Sequence, residues 1–204
     1  MRSVVWRRAT APSQVDRAGE VLRADPTDAQ ALEVLEWWRS EHAEQHLAAK
    51  AALNELAALH DWLDAEVTSR LKKSDQIIRK LRASRTRLST MDDLAGCRLV
   101  LGSLSEATFA VALITARLDV RAIKDTTARP TPVGYRAVHL LTRVNDRRVE
   151  IQVRTRRQHA WAAMVEAHDR ETHDDAKHGH APESVIAELF AMSEILSTLD
   201  QQDP

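Results

Sequence analysis

The sequence predicts an α+β fold, in which a mixed β-sheet of about five strands with covering helices follows an N-terminal helical segment. Apolar residues recur at helical spacing in the first part of the chain, whereas short strand-like runs follow from about Thr90 onward. The 204 residues include only five glycines and six prolines, which is typical of long helices and few loops. We therefore divide the chain into a helical segment (1–67), a core (68–170) and a charged loop with a closing helix (171–204).

Three helices are predicted in the N-terminal segment, from apolar residues spaced three or four apart. The first covers about 13–23, and Thr27 or Asp28 can cap the second. The third covers roughly 45–68, with leucines along one face. Ser74 is then predicted to cap a short helix at the beginning of the core.

The core is predicted to alternate strands with helices. The run D-L-A-G-C-R-L-V-L at 93–101 indicates a buried strand, and Ser105 begins the next helix. The remaining predicted elements are strands near 120–124, 136–144 and 148–154, and helices near 158–166 and 182–199. A turn at Asn145 and Asp146 joins the last two strands.

The stretch V-E-I-Q-V-R-T at 149–155 is the one around which the other predicted elements are organised. Successive side chains of a strand point to opposite faces, so this strand has an apolar face and a polar face. The polar face carries Glu150, Gln152 and Arg154. A solvated surface would explain such a set in a lone strand. The neighbouring G-Y-R-A-V-H at 134–139 and the helix with Trp161 instead favour a site for a nucleotide and its metal.

Composition excludes several classes of protein. Lys plus Arg (29) nearly balances Asp plus Glu (30), so overall charge gives no indication of a polyanionic partner. The single Cys97 rules out an internal disulfide and a cysteine-based zinc site, as expected in a reducing cytosol. No apolar run approaches the roughly 20 residues of a membrane span, and the N-terminus has no apolar signal core. We expect a cytoplasmic protein with no membrane contact.

Three polar clusters precede the 149–155 strand. The first is a basic run between residues 70 and 87, and the second is Asp92 and Asp93 before the buried strand. The third includes Arg129 and the only tyrosine, Tyr135, whose ring can stack on a base. Taken singly, each has an ordinary explanation: a solvated helix face, a turn-forming aspartate or a packed aromatic ring.

In this order, the segments resemble the synthetase domain of the RelA/SpoT family over about 68–166. The resemblance rests on R-L-K-K-S-D-Q-I-I-R-K-L at 70–81, D-L-A-G-C-R at 93–98, G-Y-R-A-V-H at 134–139 and V-E-I-Q-V-R-T-R-R-Q-H-A-W-A at 149–162. It implies a nucleotidyltransferase-like synthetase fold. It also implies transfer of the β,γ-pyrophosphate of ATP to the ribose 3′-hydroxyl of an acceptor, with Mg²⁺ as cofactor.

The resemblance also implies roles for individual residues. Asp93 and Glu150 would be the catalytic residues and metal ligands. ATP would be bound by Arg70, Lys72, Lys80 and Arg98. The acceptor would be bound by Tyr135, His139, Arg129, Gln152 and Arg154. Charge neutralisation and positioning are the main requirements of phosphoryl transfer, and these residue types supply both.

The sequence departs from the family pattern at the acceptor site. Members that make guanosine alarmones usually carry a Lys and an Asn just before the Gly-Tyr, where this chain has Thr131 and Val133. The segment Q-H-A-W-A at 158–162 is similar to small toxic members, some of which modify tRNA. We therefore expect a growth-inhibiting toxin that acts on the 3′-CCA end of tRNA. Arg129, Arg156 and Arg157 are available for tRNA phosphates, and an antitoxin protein is a potential partner.

Several alternatives stay open. The acceptor could be GDP or GTP, with Arg129 replacing the missing lysine, which would make the protein a (p)ppGpp synthetase of the stringent response. A catalytically inactive module that senses nucleotides or binds a partner is a second alternative, and a nucleic-acid-binding regulator is a third. Apolar helix faces also leave oligomers open. The histidines at 168–180 fit no standard metal spacing, so a solvated loop is expected there.

Overall fold

Five strands form one mixed sheet: β1 (Glu66–Leu71), β2 (Ala95–Leu101), β3 (Asp119–Asp125), β4 (Val138–Val144) and β5 (Arg147–Thr155). Their order is β1-β2-β5-β4-β3, so β5 is central. β2 and β5 are parallel, and the other neighbouring pairs are antiparallel. The computed structural model describes residues 11–172 and 174–202, without the side chain of His178. The predicted α+β class with a mixed sheet is confirmed.

The helices lie at both ends of the chain and between the strands. They are α1 (Pro12–Ala24), α2 (Ala29–Ser40), α3 (Ala43–Leu59), α4 (Ser74–Ala83), α5 (Leu104–Arg117), α6 (Arg156–Thr172) and α7 (Glu183–Gln202). Short 3₁₀ turns cover Leu88–Thr90 and Ala176–His178. Within the described ranges, no helix combines the length and apolarity that crossing a membrane requires.

One face of the sheet packs against α3 and α5. Val149, Ile151 and Val153 of β5 are at most 1% exposed, as the alternation of this strand predicts. They form one core with buried leucines of α3, β2 and β4. Burial of a leucine or valine side chain contributes roughly 1.5–3 kcal/mol, so this face holds the strands in register. The polar residues of β5 consequently point to the opposite face.

Two smaller cores flank the sheet. Leu22 of α1, Leu35 of α2 and Leu81 of α4 pack together, and the side chain of Arg23 donates from Nε to the carbonyl of Leu81 at 2.7 Å. Val133, Trp161 of α6 and Leu189 of α7 form a third cluster beside the Gly-Tyr turn (residues 131–135). The N-terminal and C-terminal helices thus contribute to separate cores.

The third predicted helix is wrong beyond Leu59. α3 ends at Leu59, and Thr68 lies in β1 instead of in the helix. Asp61 has a left-handed conformation with φ 54°, which interrupts the helix. Leu63 is 92% exposed, so its helical spacing from Leu59 marks no buried face. The segment boundary drawn at residue 67 falls inside β1, all of which pairs with β2.

Three other boundaries differ from the predictions. Ser74 is the first residue of α4 rather than its cap, and its hydroxyl donates to the carboxylate of Glu36. Ser103, not Ser105, caps α5 through a capping box. β4 begins at Val138 because the residues before it belong to the Gly-Tyr turn and its loop.

The histidine-rich stretch, expected to be an exposed loop or a frayed helix end, is helical in its first part. α6 continues through His168 to Thr172, and Ala176 of the following 3₁₀ turn is fully buried. His173 and the side chain of His178 lie outside the described residues. Elsewhere in the chain as described, no three His, Cys, Asp or Glu side chains gather into a metal site.

The predicted turn between the last two strands is confirmed. Val144 of β4 pairs with Arg147 of β5 across a two-residue loop. Both loop residues are left-handed, Asn145 with φ 46° and Asp146 with φ 63°. Positive φ at both central positions is the requirement of a type I′ turn, which matches the twist of a β-hairpin.

Asp146→Gly should stabilise the protein by about 0.5–1 kcal/mol. The left-handed region costs a residue with a Cβ atom roughly 1–2 kcal/mol, whereas glycine loses only roughly 0.5–1 kcal/mol in chain entropy. The measurement is the urea midpoint of unfolding. Asp146→Ala is the control and should give no gain because it keeps the Cβ atom. A lower midpoint for Asp146→Gly would show that the aspartate side chain itself stabilises the turn.

Candidate active site

The sheet brings polar side chains from three adjacent strands to the face opposite the core. Gly96 of β2 lies beside Glu150 of β5, and it leaves the space next to that carboxylate free of a side chain. Two residues further along β5, Gln152 pairs with Arg98 of β2 and with His139 of β4. Side chains alternate along each strand, so residues two positions apart point to the same face. Arg98, His139 and Gln152 therefore share one face of the sheet with Glu150.

Asp93 lies just before β2 and binds two lysines. Nζ of Lys72 is 2.8 Å from Oδ2, and Nζ of Lys80 is 2.8 Å from Oδ1. Burial has the largest effect on this carboxyl and acts to raise its pKa. The charges and hydrogen bonds of Lys72 and Lys80 outweigh burial and hold the pKa of Asp93 below its ordinary value. Asp93 is therefore ionised at neutral pH.

Helix α2 fixes the backbone that carries Lys72. Nε of Arg39 donates to the carbonyl of Lys72 at 2.8 Å, and Nη1 of Arg39 pairs with Glu36 at 2.7 Å. Glu36 also accepts from the hydroxyl of Ser74. Sequence reasoning missed this support, since the contacts of α2 with Lys72 and Ser74 join positions more than thirty residues apart and leave no local pattern.

Glu150 accepts a hydrogen bond at each carboxylate oxygen. Nδ1 of His139 lies 2.9 Å from Oε1, and Nε2 of Gln152 donates to Oε2 at 2.7 Å. The hydroxyl of Tyr135 is 2.8 Å from Nε2 of His139. Nη2 of Arg154 donates to that hydroxyl at 2.5 Å and to Oε1 of Gln152 at 2.8 Å. These five side chains form a closed set of hydrogen bonds, the Glu150 ring.

One placement of protons satisfies every contact in the Glu150 ring. Arg154 can only donate, so the hydroxyl of Tyr135 accepts from it and donates its own proton to Nε2 of His139. Nδ1–H of a neutral imidazole then donates to Glu150. The ring therefore has two branches, one through Tyr135 and His139 and one through Gln152. Both begin at the guanidinium of Arg154 and end at the carboxylate of Glu150.

The ring keeps Glu150 ionised. Burial has the largest effect and acts to raise the pKa of Glu150, but the hydrogen bonds of His139 and Gln152 favour the ionised form. The net result is a pKa below the ordinary value. The charge of Asp93 acts in the opposite direction, which indicates that the two carboxylates belong to one electrostatic site.

Two guanidinium groups, one in the Glu150 ring and one outside it, have donors without a partner among the described residues. Arg154 is 2% exposed, and its Nε and Nη1 are unpaired, as is Nε of Arg98. Nη1 of Arg98 approaches Nδ1 of His159 at 3.5 Å. Burial and then Arg154 lower the pKa of Arg98, but arginine stays protonated near neutral pH. Unpaired donors on buried cations indicate a site for an anion such as phosphate.

The remaining predicted residues differ in their placement. The ring of Tyr135 is partly exposed, with Cζ of Arg154 4.9 Å from its centroid and Trp161 6.4 Å away. Arg70 is exposed on β1 and acts electrostatically on Arg98. The structure does not bring Arg129 into this cluster, because Arg129 is exposed on the loop between β3 and β4.

Helix α6 contributes a carboxylate that sequence reasoning missed. Burial acts to raise the pKa of Glu166, but Lys177, Arg98 and Arg70 together lower it. Glu166 thus acts electrostatically on Arg98 of the candidate phosphate site. A single glutamate on a helix has no distinctive sequence pattern, so only the fold identifies it.

Asp93→Asn should flatten the dependence of stability on acid pH. Because the pKa of Asp93 is lowered in the folded protein, its contribution is present above the ordinary value of 3.8 and is lost as pH falls through the folded value. Urea unfolding from pH 7 to pH 3 should show the wild type losing more stability below about pH 4 than the variant. Asp75→Asn, at an exposed position in α4, is the control and should follow the wild type. Equal slopes for wild type and Asp93→Asn would contradict the pairing with the lysines.

Comparison with known proteins gives relatives for most of the chain. The GTP pyrophosphokinase YwaC of Bacillus subtilis is 27% identical over 150 residues, which cover 66% of this chain and 69% of that protein. An uncharacterized protein of Mycobacterium tuberculosis is 39% identical over 112 residues, or 52% of this chain and 40% of the relative. The chain thus spans about two fifths of the length of this mycobacterial relative.

Solved structures share the fold. Small alarmone synthetase 1 from Bacillus subtilis gives a TM-score of 0.69 at 26% identity, over 82% of this chain and 92% of that chain. The same protein bound to its product pppGpp gives a TM-score of 0.67 at 26% identity, over 82% and 94%. The family model described as a region found in RelA/SpoT proteins matches residues 69–174, just over half of the chain. A match over more than half of the chain shows that the chain belongs to the RelA/SpoT family.

Proposed function

We propose that the protein is a RelA/SpoT-type pyrophosphokinase. The observation that carries the proposal is that two ionised carboxylates, Asp93 and Glu150, belong to one site with Arg154 and Arg98, whose donors lack partners among the described residues. In the reaction, the acceptor 3′-oxygen attacks the β-phosphorus of ATP. The bond from that phosphorus to the oxygen bridging the α-phosphate breaks, and AMP leaves. The proton of the hydroxyl passes to Glu150 and from there to solvent.

The two lysines proposed to bind ATP, Lys72 and Lys80, are paired with the carboxylate of Asp93. The phosphates of ATP would take over these lysines. Arg70 and Arg98 complete the ATP site, where a planar guanidinium can stack on adenine or hold a phosphate. Positioning and charge neutralisation of this kind are the main contributions of a protein to phosphoryl transfer.

Asp93 and Glu150 fit the requirements of a Mg²⁺ site. Mg²⁺ usually takes one or two protein carboxylates and shares the phosphates of its substrate, so this pair suffices. When bound, the ion would supply neutralisation of phosphate charge. Glu150 orients the acceptor hydroxyl and takes its proton, while His139 and Gln152 fix the direction of the carboxylate.

The turn before Tyr135 favours the 3′-terminal adenosine of tRNA as acceptor. Val133 is 2% exposed in an apolar cluster, and the hydroxyl of Thr131 accepts from the amide of Tyr135 at 3.1 Å. Neither residue offers a cation to a 5′-diphosphate or an amide to guanine. A tRNA end needs neither group, and Tyr135 can stack on adenine.

The three arginines predicted to meet tRNA phosphates differ in their availability. Arg129 is exposed on the loop before the turn. Arg156 is exposed and pairs with Asp64 at 3.1 Å, whereas Arg157 pairs with the buried Asp200 at 3.3 Å. Arg129 and Arg156 are therefore the better candidates. Pyrophosphate on the 3′-hydroxyl would block aminoacylation, so the protein would act as a translation-blocking toxin. Its location would be the cytoplasm, and an antitoxin protein would be its partner.

A guanosine nucleotide is the second candidate acceptor. The relative named GTP pyrophosphokinase and the synthetase bound to pppGpp favour it, and Arg129 could contact a 5′-diphosphate in place of the missing lysine. In that case the product would be (p)ppGpp. The reaction type would be unchanged, because the difference concerns the acceptor alone.

Labelled ATP tests both the reaction and the acceptor. With γ-labelled ATP and Mg²⁺, label should move to tRNA rather than to GDP, GTP, ADP or AMP. Glu150→Gln should lower the rate by roughly 10²–10⁴-fold because the hydroxyl loses its base. Asp92→Asn is the matched control, since Asp92 neighbours the site but binds Arg148 at 2.5 Å, and it should keep transfer.

Other outcomes of this experiment identify the alternatives. Label in guanosine tetra- or pentaphosphate, with none on tRNA, would replace the tRNA proposal by the guanosine one. No consumption of ATP with any acceptor, together with an unaltered cellular effect of Glu150→Gln, would indicate a nucleotide-sensing or partner-binding module. RNA binding that falls steeply with salt but gives no turnover would indicate a nucleic-acid-binding regulator.

Two variants of Tyr135 separate stacking from the hydrogen-bond ring. Tyr135→Ala should raise the KM of the acceptor by roughly 5- to 150-fold, the equivalent of about 1–3 kcal/mol of stacking, and leave the KM of ATP unchanged. Tyr135→Phe keeps the aromatic ring but removes the hydroxyl between Arg154 and His139, so it should lower kcat with little change in the KM of the acceptor. If Tyr135→Ala lowers only thermal stability, the ring has a packing role instead.

A further inference from the structure

We propose that α7 braces the Gly-Tyr turn (residues 131–135) and that Ser193 is the positioning residue for acceptor binding. This inference rests on the proposed role of Tyr135 in binding the acceptor. It concerns a helix outside the matched family region, which ends at residue 174. The argument begins with the hydrogen bonds inside the turn and continues to those that join it to α7.

The turn is closed by its own hydrogen bonds but needs support from outside. The amide of Gly134 donates to the carbonyl of Thr131 at 2.8 Å, and the amide of Tyr135 donates to the hydroxyl of Thr131 at 3.1 Å. At the base of the loop, the amide of Thr126 donates to the carbonyl of Ala137 at 3.0 Å. The carbonyl of Gly134 points away from these contacts and is bound by α7.

Ser193 of α7 makes the closest approach to the turn. Its hydroxyl donates to the carbonyl of Gly134 and accepts from Nε of Arg136 at 3.2 Å. Gly134 has φ 95°, and a Cβ atom there would lie 2.6 Å from Cβ of Ser193. Glycine is therefore required both by the conformation and by the contact with the helix. Ser193 is 3% exposed, so water cannot replace its hydroxyl without movement of the helix.

Arg136 adds a second connection between the turn and α7. Its side chain is 9% exposed and pairs through Nη2 with Glu194 of the helix. Nη1 donates to the carbonyl of Thr127 at the start of the same loop. The guanidinium of Arg136, the residue after Tyr135, thus joins the first part of the loop to two successive residues of α7.

Helix α7 is itself anchored to the end of β5 and to α6. Oδ2 of the buried Asp200 accepts from the hydroxyl of Thr155 at 2.6 Å, and the carbonyl of Leu189 accepts from Nε1 of Trp161 at 2.9 Å. Thr155 directly follows Arg154 of the Glu150 ring in sequence. The helix therefore holds the Gly-Tyr turn at a fixed position relative to the strand that carries Glu150.

These contacts lie on the acceptor side of the proposed site. The lysines of the ATP site follow β1 and lie on α4, whereas the brace acts on the loop before β4. Loosening the brace should therefore weaken use of the acceptor without altering use of ATP. An ordinary stabilising helix would give no such separation, because general destabilisation would affect both substrates.

Ser193→Ala tests the brace by two measurements. Loss of the hydroxyl leaves the carbonyl of Gly134 and Nε of Arg136 unpaired, so hydrogen exchange of the 131–137 segment should become roughly tenfold faster while exchange in α4 is unchanged. The KM of the acceptor should rise by a similar factor, with kcat and the KM of ATP unaltered. Thr198→Ala is the matched control: it removes a hydroxyl that bonds within α7, to the carbonyl of Glu194, and should change neither measurement.

A second variant protects the test against misfolding. Glu194 is half exposed, so Glu194→Gln should fold, weaken the pair with Arg136 and give a smaller effect of the same sign. Unchanged exchange in both variants would overturn the brace, and faster exchange with an unchanged KM of the acceptor would overturn its role in binding. If the wild type transfers pyrophosphate to no acceptor, the proposed function fails, while the exchange measurement still decides whether Ser193 holds the turn.

Discussion

The site depends on keeping Glu150 ionised where its side chain is only 15% exposed. A carboxylate in such a position would take up a proton if it stood alone, because burial disfavours the charged form. The two branches from Arg154 prevent this by placing a donor on each oxygen. The turn at Asn145 and Asp146 makes this arrangement possible because it fixes the register of β4 against β5. A slip of one residue between these strands would turn His139 towards the apolar core.

Much of this arrangement follows from local sequence. The period of two in residues 149–155 predicted which side chains of β5 lie in the core, and the Asn145–Asp146 turn predicted its pairing with β4. The same kind of reasoning failed at residues 59–68, where leucine spacing imitated a helix that a left-handed Asp61 interrupts. Propensity and periodicity report on a segment alone, whereas pairing with β2 decided the structure of β1.

Contacts between distant segments could not be predicted. Arg39 reaches the carbonyl of Lys72 from α2, and Ser193 reaches Gly134 from α7. Each is an ordinary residue on a helix face, and its partner is a backbone carbonyl that any sequence would supply. The backbone of Lys72 and the Gly-Tyr turn are thus supported by opposite ends of the chain, each through a helix outside the sheet.

The single tyrosine has a consequence for optical spectroscopy. Tyr135 is the only phenol among the 204 residues, so ultraviolet absorption by tyrosinate reports on the Gly-Tyr turn alone. Burial, acting against the charge and hydrogen bond of Arg154, raises the pKa of this phenol. Its ring also lies 6.4 Å from that of Trp161, a distance at which energy transfer quenches tyrosine emission. The protein therefore carries a built-in chromophore at the position where a base would stack.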